Sequence, residues 1–172
     1  MGSRKLTAVA DAGPLIHLAE IGGLHFLSSF DTIHIPDAVW TETFGQGRLS
    51  QRDLFLIENV KRHLLTRKEV ESFVKEKKIA RLHAGEQECL FVCVNEGLSL
   101  ILTDDLAVRE AAKQLGLVPV GSLGIVVSAF KHGELSLEKA EKYIADLYDV
   151  SSLFVTRAIV DLAIKQLRLS GQ

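Results

Sequence analysis

Short apolar runs alternate with helical patterns along the chain. Four runs predict buried strands, at residues 6–10, 32–35, 98–103 and 117–120. They are rich in β-branched residues and lack the period-two alternation of a half-exposed strand. Apolar strands separated by helices are typical of a parallel sheet that is covered on both faces. The pattern therefore predicts an α/β fold.

Caps and glycines mark the expected helix boundaries. Pro14 is expected at the first position of a helix that follows the first strand, where its missing N–H is tolerated. A second helix is predicted from about Asp37 to Phe44. Gly97, Gly116 and Gly133 suit the left-handed residue just past the end of a helix.

The segment from Ser136 onward is predicted to be all-helical, with Ser151 or Ser152 as the N-cap of the last helix. That helix is expected to carry an apolar stripe of Leu153, Phe154, Val155, Ile159, Leu162, Ile164 and Leu167. The stripe either closes the domain or meets a partner. With 172 residues, the chain is expected to form one domain.

Residues 61–81 are unusually basic, with eight basic residues against three acidic ones. Thr66 and Glu69 fit a capping box, so much of this segment is predicted to be a helix. Such a helix is either simply solvated or neutralises the phosphates of a nucleic acid. The residues considered for RNA binding are Lys61, Arg62, Arg67, Lys68 and Arg81.

Composition bounds the function classes further. No apolar run approaches the roughly 18 residues of a membrane-spanning helix, so no membrane partner is expected. Cys89 and Cys93 fall in one apolar helical stretch and read as buried thiols of a reducing compartment, which predicts a cytoplasmic protein. The net charge of −2 gives no general attraction to nucleic acid.

Acidic residues recur where the predicted strands end or the flanking helices begin. They are Asp11, Glu42, Glu86, Asp104 and Asp105. Ligands of open α/β sheets bind at the carboxyl ends of the strands. A cluster of carboxylates repels itself unless a cation is bound, and oxygen-only ligands favour Mg²⁺ or Mn²⁺ over zinc. Such ions serve phosphoryl chemistry.

Each acid also has an ordinary structural interpretation. Asp104 is placed to cap the helix from Asp105 to Leu115, and Asp11 to cap the Pro14 helix. Glu86 suits a helix N-terminus, and Glu42 suits a solvated helix surface. The structural interpretation requires four coincidences at one sheet edge, and we therefore favour a functional cluster.

Five segments, in order, resemble motifs of PIN-domain ribonucleases. They are VADAGPLI at 9–16, IPDAVWTE at 35–42, GEQECL at 85–90, LTDD with the following Arg109, Ala111, Ala112 and LGL at 102–117, and GSLG at 121–124. The third and fifth are similar to a glycine–glutamate branch of the VapC-like toxins. The resemblance covers a motif-bearing core of about 6–133 and leaves a helical extension of about 134–169.

The resemblance implies a three-layer α/β/α fold with a central, mainly parallel sheet of four or five strands. It implies Asp11, Glu42, Glu86 and Asp104 as the catalytic acids, with Thr103 and Asp105 in support. Asp11, Glu86 and Asp104 would hold Mg²⁺ or Mn²⁺. Gly13 stands where many members have Ser or Thr, and Glu88 competes with Glu86 for the third position.

The activity implied is metal-dependent endoribonuclease cleavage of an RNA substrate. Many such proteins are the toxin of a toxin–antitoxin pair, are inhibited by a small cognate antitoxin protein, and form a homodimer. The alternative is a degenerate PIN fold that serves as a binding or scaffold module. An aspartyl-phosphate enzyme is disfavoured, since Asp11-Ala12-Gly13 lacks the second acid of an Asp-x-Asp nucleophile motif.

Overall fold

The computed structural model describes residues 6–171. The outer bounds of the expected domain, residues 1–5 and 172, lie outside the described residues. Five strands lie at Thr7–Ala10 (β1), Thr32–Pro36 (β2), Val60–His63 (β3), Leu100–Leu102 (β4) and Val118–Val120 (β5). All their pairings are parallel, in the order β3-β2-β1-β4-β5. The predicted α/β fold with a parallel sheet is confirmed.

Helices connect the strands and cover the sheet. They are Ala12–Glu20 (α1), Asp37–Trp40 (α2), Gln51–Phe55 (α3), Arg67–Lys77 (α4), Ala84–Asn95 (α5), Leu106–Gln114 (α6), Ser122–Lys131 (α7), Leu137–Asp149 (α8) and Arg157–Ser170 (α9). A 3₁₀ helix spans Leu24–Ser29, and a π-helical turn spans Thr41–Gly45. Within residues 6–171, no helix is long and apolar enough to cross a membrane.

Strands β1 and β4, which lie side by side in the sheet, are largely buried. Ala8, Val9 and Ala10 of β1 are fully buried, as are Ile101 and Leu102 of β4. Helix α5 packs on β1, β2 and β4, while α7 packs on α1 and on the C-terminal pair α8 and α9. Burial on both faces explains why these strands read as apolar runs rather than as alternating patterns.

Strand β3 is absent from the predicted elements, because residues 61–63 belong to the basic segment 61–81 that is predicted to be mainly helical. In the structure they form an edge strand, with Lys61 and Arg62 exposed. The helix prediction is correct for α4 alone, and the Thr66–Glu69 capping box at its start is confirmed. A polar edge strand buries too little surface to show an apolar run, which is why the sequence pattern did not reveal it.

The start of the last helix was placed too early. Neither Ser151 nor Ser152 caps it; Thr156 does, accepting a hydrogen bond from Ile159 N. Residues 151–155 form an irregular loop instead. Leu153, Phe154 and Val155 therefore do not belong to the helix stripe, and Phe154 is 97% exposed.

Candidate functional site

An open pocket of about 390 Å³ lies at the carboxyl edge of the sheet. The pairing of Ala10 with Leu102 brings the ends of β1 and β4 together, and Asp11 N donates to Leu102 O at 2.9 Å. Asp11 and Asp104 therefore leave neighbouring strands at the same edge. The carboxylates that line the pocket are those of Asp11, Glu42, Glu86, Asp104 and Asp105.

Asp11 is the buried acid of the pocket, with 7% of its surface exposed. Its Oδ1 accepts from Ala12 N at 2.8 Å, and its Oδ2 accepts from Thr103 Oγ1 at 2.9 Å. Burial raises the pKa of Asp11 to about 6; the negative charges of Glu86 and Glu42 also raise it, whereas its two hydrogen bonds lower it. Asp11 caps α1 as well, so the structural and the functional interpretation of this residue are compatible.

Asp104 is held by hydrogen bonds on both oxygens. Ser122 N donates to Oδ1 at 2.7 Å, Ser122 Oγ donates to Oδ2 at 2.5 Å, and His17 Nδ1 lies 2.7 Å from Oδ2. Gly121 leaves room for the carboxylate, since a Cβ there would lie 2.7 Å from Asp104 Oδ1. These contacts fix the carboxylate at the pocket wall.

The expectation that Asp104 caps the following helix is wrong. Asp105 is the N-cap of α6, and its Oδ1 accepts from Val108 N at 2.9 Å. The helix begins one residue later than predicted, at Leu106, and its cap moves with it. The carboxylate of Asp104 therefore lines the pocket and does not cap the helix.

Glu86 enters the pocket from the start of α5. Its Oε2 accepts from His83 N at 2.8 Å, and its side chain is 15% exposed. Glu88 points elsewhere, because its Oε2 accepts from Ala38 N at 2.8 Å at the start of α2. Burial raises the pKa of Glu88. Of the two glutamates, the structure places Glu86 in the pocket.

Glu42 lies on the π-helical turn Thr41–Gly45. Thr43 Oγ1 donates to Val39 O at 2.7 Å, and Gln46 N donates to Thr41 O at 2.9 Å. The side chain of Glu42 is 45% exposed, and Arg48 Nη1 lies 3.8 Å from its Oε1. Single π turns inside helices occur often at functional sites. Here the turn carries a half-exposed acid that lines the pocket.

A divalent cation fits this donor set chemically. The pocket offers carboxylate oxygens from four segments of the chain. Burial, and to a smaller extent the charges of Glu86 and Glu42, raises the pKa of Asp11, and a bound cation would offset both effects. Within residues 6–171, however, no three His, Cys, Asp or Glu side chains stand close enough together to hold a metal ion. Asp11 and Asp104 instead bond to protein neighbours.

The basic residues considered for RNA binding do not line the pocket. Three of them contact acids: Lys61 lies 3.6 Å from Glu96, Arg62 pairs with Asp37, and Arg67 lies 2.6 Å from Glu71. Lys68 and Arg81 are exposed. The guanidinium of Arg62 also stacks over Trp40 at 4.9 Å.

Sequence reasoning missed three groups that line the pocket or hold one of its acids. His17 lies on α1, and spacing alone gave no reason to join it to Asp104. Ser122 belongs to the GSLG segment, whose resemblance to a family motif implies no role for its hydroxyl. The Ser152–Phe154 segment lines the pocket from the opposite end of the chain, and no local pattern signals that contact.

Comparison with known proteins agrees with this architecture. A family model described as a PIN domain matches residues 7–168. The match includes α8 and most of α9, beyond the segments that carried the resemblance. Searches of curated proteins and of solved structures gave no match. The chain therefore belongs to the PIN-domain family, whose members are generally nucleases.

Proposed function

We propose that the chain is a Mg²⁺- or Mn²⁺-dependent endoribonuclease. The observation that carries the proposal is the convergence of Asp11, Glu42, Glu86 and Asp104 on one pocket at the carboxyl edge of the sheet. These acids come from four separate segments of the chain and are far apart in sequence. A structural role for each does not require them to share a pocket.

Some residues of the pocket would bind the cation, and others orient the side chains that bind it. Asp11, Glu86 and Asp104 would hold the cation once their side chains move closer together, since no three such side chains within residues 6–171 stand close enough in the structure. Thr103 orients Asp11, while Ser122 and His17 orient Asp104. A bound divalent cation supplies polarisation of the scissile phosphate and stabilisation of the leaving oxygen. The side chain of Glu42 is about half exposed and is therefore accessible to water.

The experiment is cleavage of a structured RNA by the purified chain in the presence of Mn²⁺ or Mg²⁺. We expect Asp11→Asn and Asp104→Asn to lose cleavage and Glu138→Gln to keep it. Glu138 is an exposed acid in the first turn of α8, outside the pocket, and it controls for the loss of one carboxylate. Equal cleavage by wild type and Asp11→Asn would remove the support for this site.

A second candidate is a PIN fold that binds without cutting. The absence of a preformed group of three metal-ligating side chains within residues 6–171 favours it. Calorimetric titration with Mn²⁺ separates the two. Binding that is lost in both Asp11→Asn and Asp104→Asn supports the nuclease, and no binding at millimolar metal supports the binding module.

The proposal includes a toxin role, because the motifs resemble those of VapC-like toxins. It includes a small antitoxin protein as inhibitor and assembly of the chain as a homodimer. Induced expression should arrest growth for the wild type and not for Asp11→Asn, and light scattering of the purified chain reports its oligomeric state. Growth arrest by both forms would count against toxicity through this pocket.

A further inference from the structure

Helix α2 leads into the turn that carries Glu42, and it has no capping side chain of its own. It is four residues long and continues directly into the π-helical turn Thr41–Gly45. Isolated helices shorter than roughly 12–15 residues are marginal in water, so the place of α2 depends on its contacts with the rest of the fold. Pro36 stands at its N-cap, and the side chain of Pro36 has no oxygen that could accept from the first N–H groups.

Glu88 of α5 takes the place of that cap. Its Oε2 accepts from Ala38 N at 2.8 Å, across 50 positions of sequence. A backbone N–H group that the start of a helix leaves without a partner is thereby satisfied by another helix. The two helices also pack closely, since a Cβ at Gly85 would lie 3.2 Å from Val39 Cγ2 and 3.8 Å from Glu42 Oε2. The contact of α2 with the start of α5 therefore sets where Glu42 lies in the pocket.

Arg62 of the edge strand β3 contacts α2 from a second element. Its Nε donates to Asp37 Oδ1 at 2.9 Å, and its guanidinium lies 4.9 Å from the ring centroid of Trp40. One guanidinium thus contacts the first and the last residue of α2. The ion pair is partly exposed, so it adds little to the stability of the whole fold. Its effect is on the position of α2.

We propose that Glu88 and Arg62 are positioning residues, which fix α2 against α5 and β3 and thereby keep Glu42 beside the other acids of the pocket. The inference rests on the proposed nuclease function. It replaces two other interpretations, in which Glu88 is a metal ligand and Arg62 contacts an RNA phosphate. Those interpretations require a charge at each residue. Positioning requires a hydrogen-bond acceptor at Glu88 and a planar, forked guanidinium at Arg62.

Variants of Glu88 separate an acceptor from a charge. Gln keeps an oxygen that can accept from Ala38 N, whereas Leu has a similar size and no acceptor. Glu88→Gln should keep most of the RNA cleavage. Glu88→Leu should lower kcat roughly 10- to 100-fold with little change in KM, which is the usual cost of losing a residue that orients a metal-site side chain. Glu69→Leu is the matched control and should leave kcat unchanged, because Glu69 Oε2 accepts from Thr66 N at the start of α4, outside the pocket.

Arg62→Lys keeps the positive charge and loses both the fork to Asp37 and the flat contact with Trp40. It should lower kcat as Glu88→Leu does, whereas a contact with an RNA phosphate would survive in Lys. Arg67→Lys is the control, since Arg67 Nε donates to Glu71 Oε1 at 2.6 Å within α4. Full kcat in Arg62→Lys, with a raised KM and a weaker salt dependence in Arg62→Gln, would show a phosphate contact and overturn the inference.

Trp40, the single tryptophan of the chain, reports the position of α2 without any cleavage. Acrylamide quenching of its fluorescence should rise in Glu88→Leu and stay at the wild-type level in Glu88→Gln and Glu69→Leu. The hydrogen bond of Glu88 goes to Ala38 N, two residues before Trp40, so such a rise shows that α2 has moved. In chains that carry Glu42→Gln, Glu88→Leu should cost little further cleavage, because both changes act through Glu42.

The outcomes separate this inference from the proposed function. If the wild type cuts no RNA, the nuclease fails, and quenching of Trp40 still decides whether Glu88 holds α2. Cleavage and quenching that Glu88→Leu leaves unchanged overturn the inference and leave the nuclease standing. Equal losses in Glu88→Gln and Glu88→Leu, or losses that add to that of Glu42→Gln, overturn it as well. If circular dichroism shows that Glu88→Leu does not fold, the kcat of Arg62→Lys decides.

Discussion

The hydroxyl of Thr103 donates a hydrogen bond of 2.9 Å to Asp11 Oδ2, across the ends of two neighbouring strands. Both residues are buried, and Thr103 also accepts from Asp105 N at 3.3 Å. One hydroxyl thus joins the buried acid of the pocket to the cap of α6. Because the bond favours the ionised form of Asp11, it lowers the pKa of this carboxyl against the effect of burial.

Replacing Thr103 with Val should impair cleavage while keeping the shape of the side chain. Val cannot donate to Asp11, so the carboxylate loses its orientation and the pKa of Asp11 rises further. Loss of a residue that orients a metal ligand typically costs roughly 10- to 100-fold in metal affinity or activity. Thr103→Ser keeps the hydroxyl and should keep most of the activity. Initial cleavage rates and Mn²⁺ titrations of both variants check this, and equal rates for Val and wild type would contradict it.

Asp11→Asn should stabilise the metal-free protein at neutral pH. The pKa of Asp11 is raised from 3.8 to about 6 in the folded chain, so its contribution to stability is fully present below about pH 3.8 and is lost as the pH rises through 6. The buried charge then costs up to about 3 kcal/mol, which Asn avoids. Thermal melts across this pH range should show the gap between the two chains closing in acid.

Addition of Mn²⁺ should reverse the order of the melting temperatures of the wild type and Asp11→Asn. Mn²⁺ should raise the melting temperature of the wild type and leave that of Asp11→Asn nearly unchanged, because only a form that binds the ion is stabilised by it. Glu138→Gln should behave like the wild type in both series. A wild-type melting temperature that does not respond to Mn²⁺ would argue against a cation in the pocket.

Two glycines beside Asp104 should respond differently to an added methyl group. A Cβ at Gly121 would lie 2.7 Å from Asp104 Oδ1, whereas one at Gly13 would lie 3.6 Å from the nearest Asp104 atoms. Gly121→Ala should therefore displace the Asp104 carboxylate and abolish most cleavage. Gly13→Ala makes only an ordinary contact and should be tolerated. Cleavage assays with circular dichroism as a folding control test the pair, and equal activities would show that Asp104 is not fixed as described.

His34 and His63 should make the fold sensitive to mild acid. His34 Nδ1 and His63 Nε2 lie 2.7 Å apart, and the rings stack with centroids 4.8 Å apart. Burial lowers the pKa of both; mutual repulsion lowers that of His34 further, Lys61 lowers both, and Glu96 raises both. Their contribution to stability is present above about pH 6.5 and is lost as the pH falls through the lowered folded values.

His63→Gln should reduce the loss of stability in mild acid, since only one imidazole of the pair is then left to take up a proton on unfolding. His25→Gln is the control, because His25 is an exposed imidazole outside the pair. Melting temperatures measured from neutral to mildly acidic pH check the comparison. Identical pH profiles for wild type and His63→Gln would show that the pair does not titrate with unfolding.

The sheet and the acids were predictable because both depend on local sequence. Buried strands such as β1 and β4 need apolar residues on both faces, and that requirement shows directly in the composition of each run. Parallel strands place their carboxyl ends at one edge, so Asp11 and Asp104 follow from strand positions alone. The choice between Glu86 and Glu88 required the structure, since it depends on the orientation of α5 relative to α2.

The parts that escaped prediction depend on contacts between distant segments. Ser122 and His17 are ordinary helix residues until the fold brings them to Asp104. Strand β3 forms through its pairing with β2, because three of its four residues are polar and two of them, Lys61 and Arg62, are exposed. Similarly, a cap at Thr156 and a cap at Ser151 or Ser152 look alike in sequence, and tertiary packing decides between them.

The hydrogen bonds between Ser152 and Glu20 join residues 132 positions apart in sequence. A contact of this separation carries a large loop-closure cost and tends to form late in folding. The wall of the pocket that includes Phe154 is therefore expected to close after the carboxylates are in place. Loss of the Glu20 carboxylate would remove these hydrogen bonds and loosen the loop that carries Phe154 beside the acids.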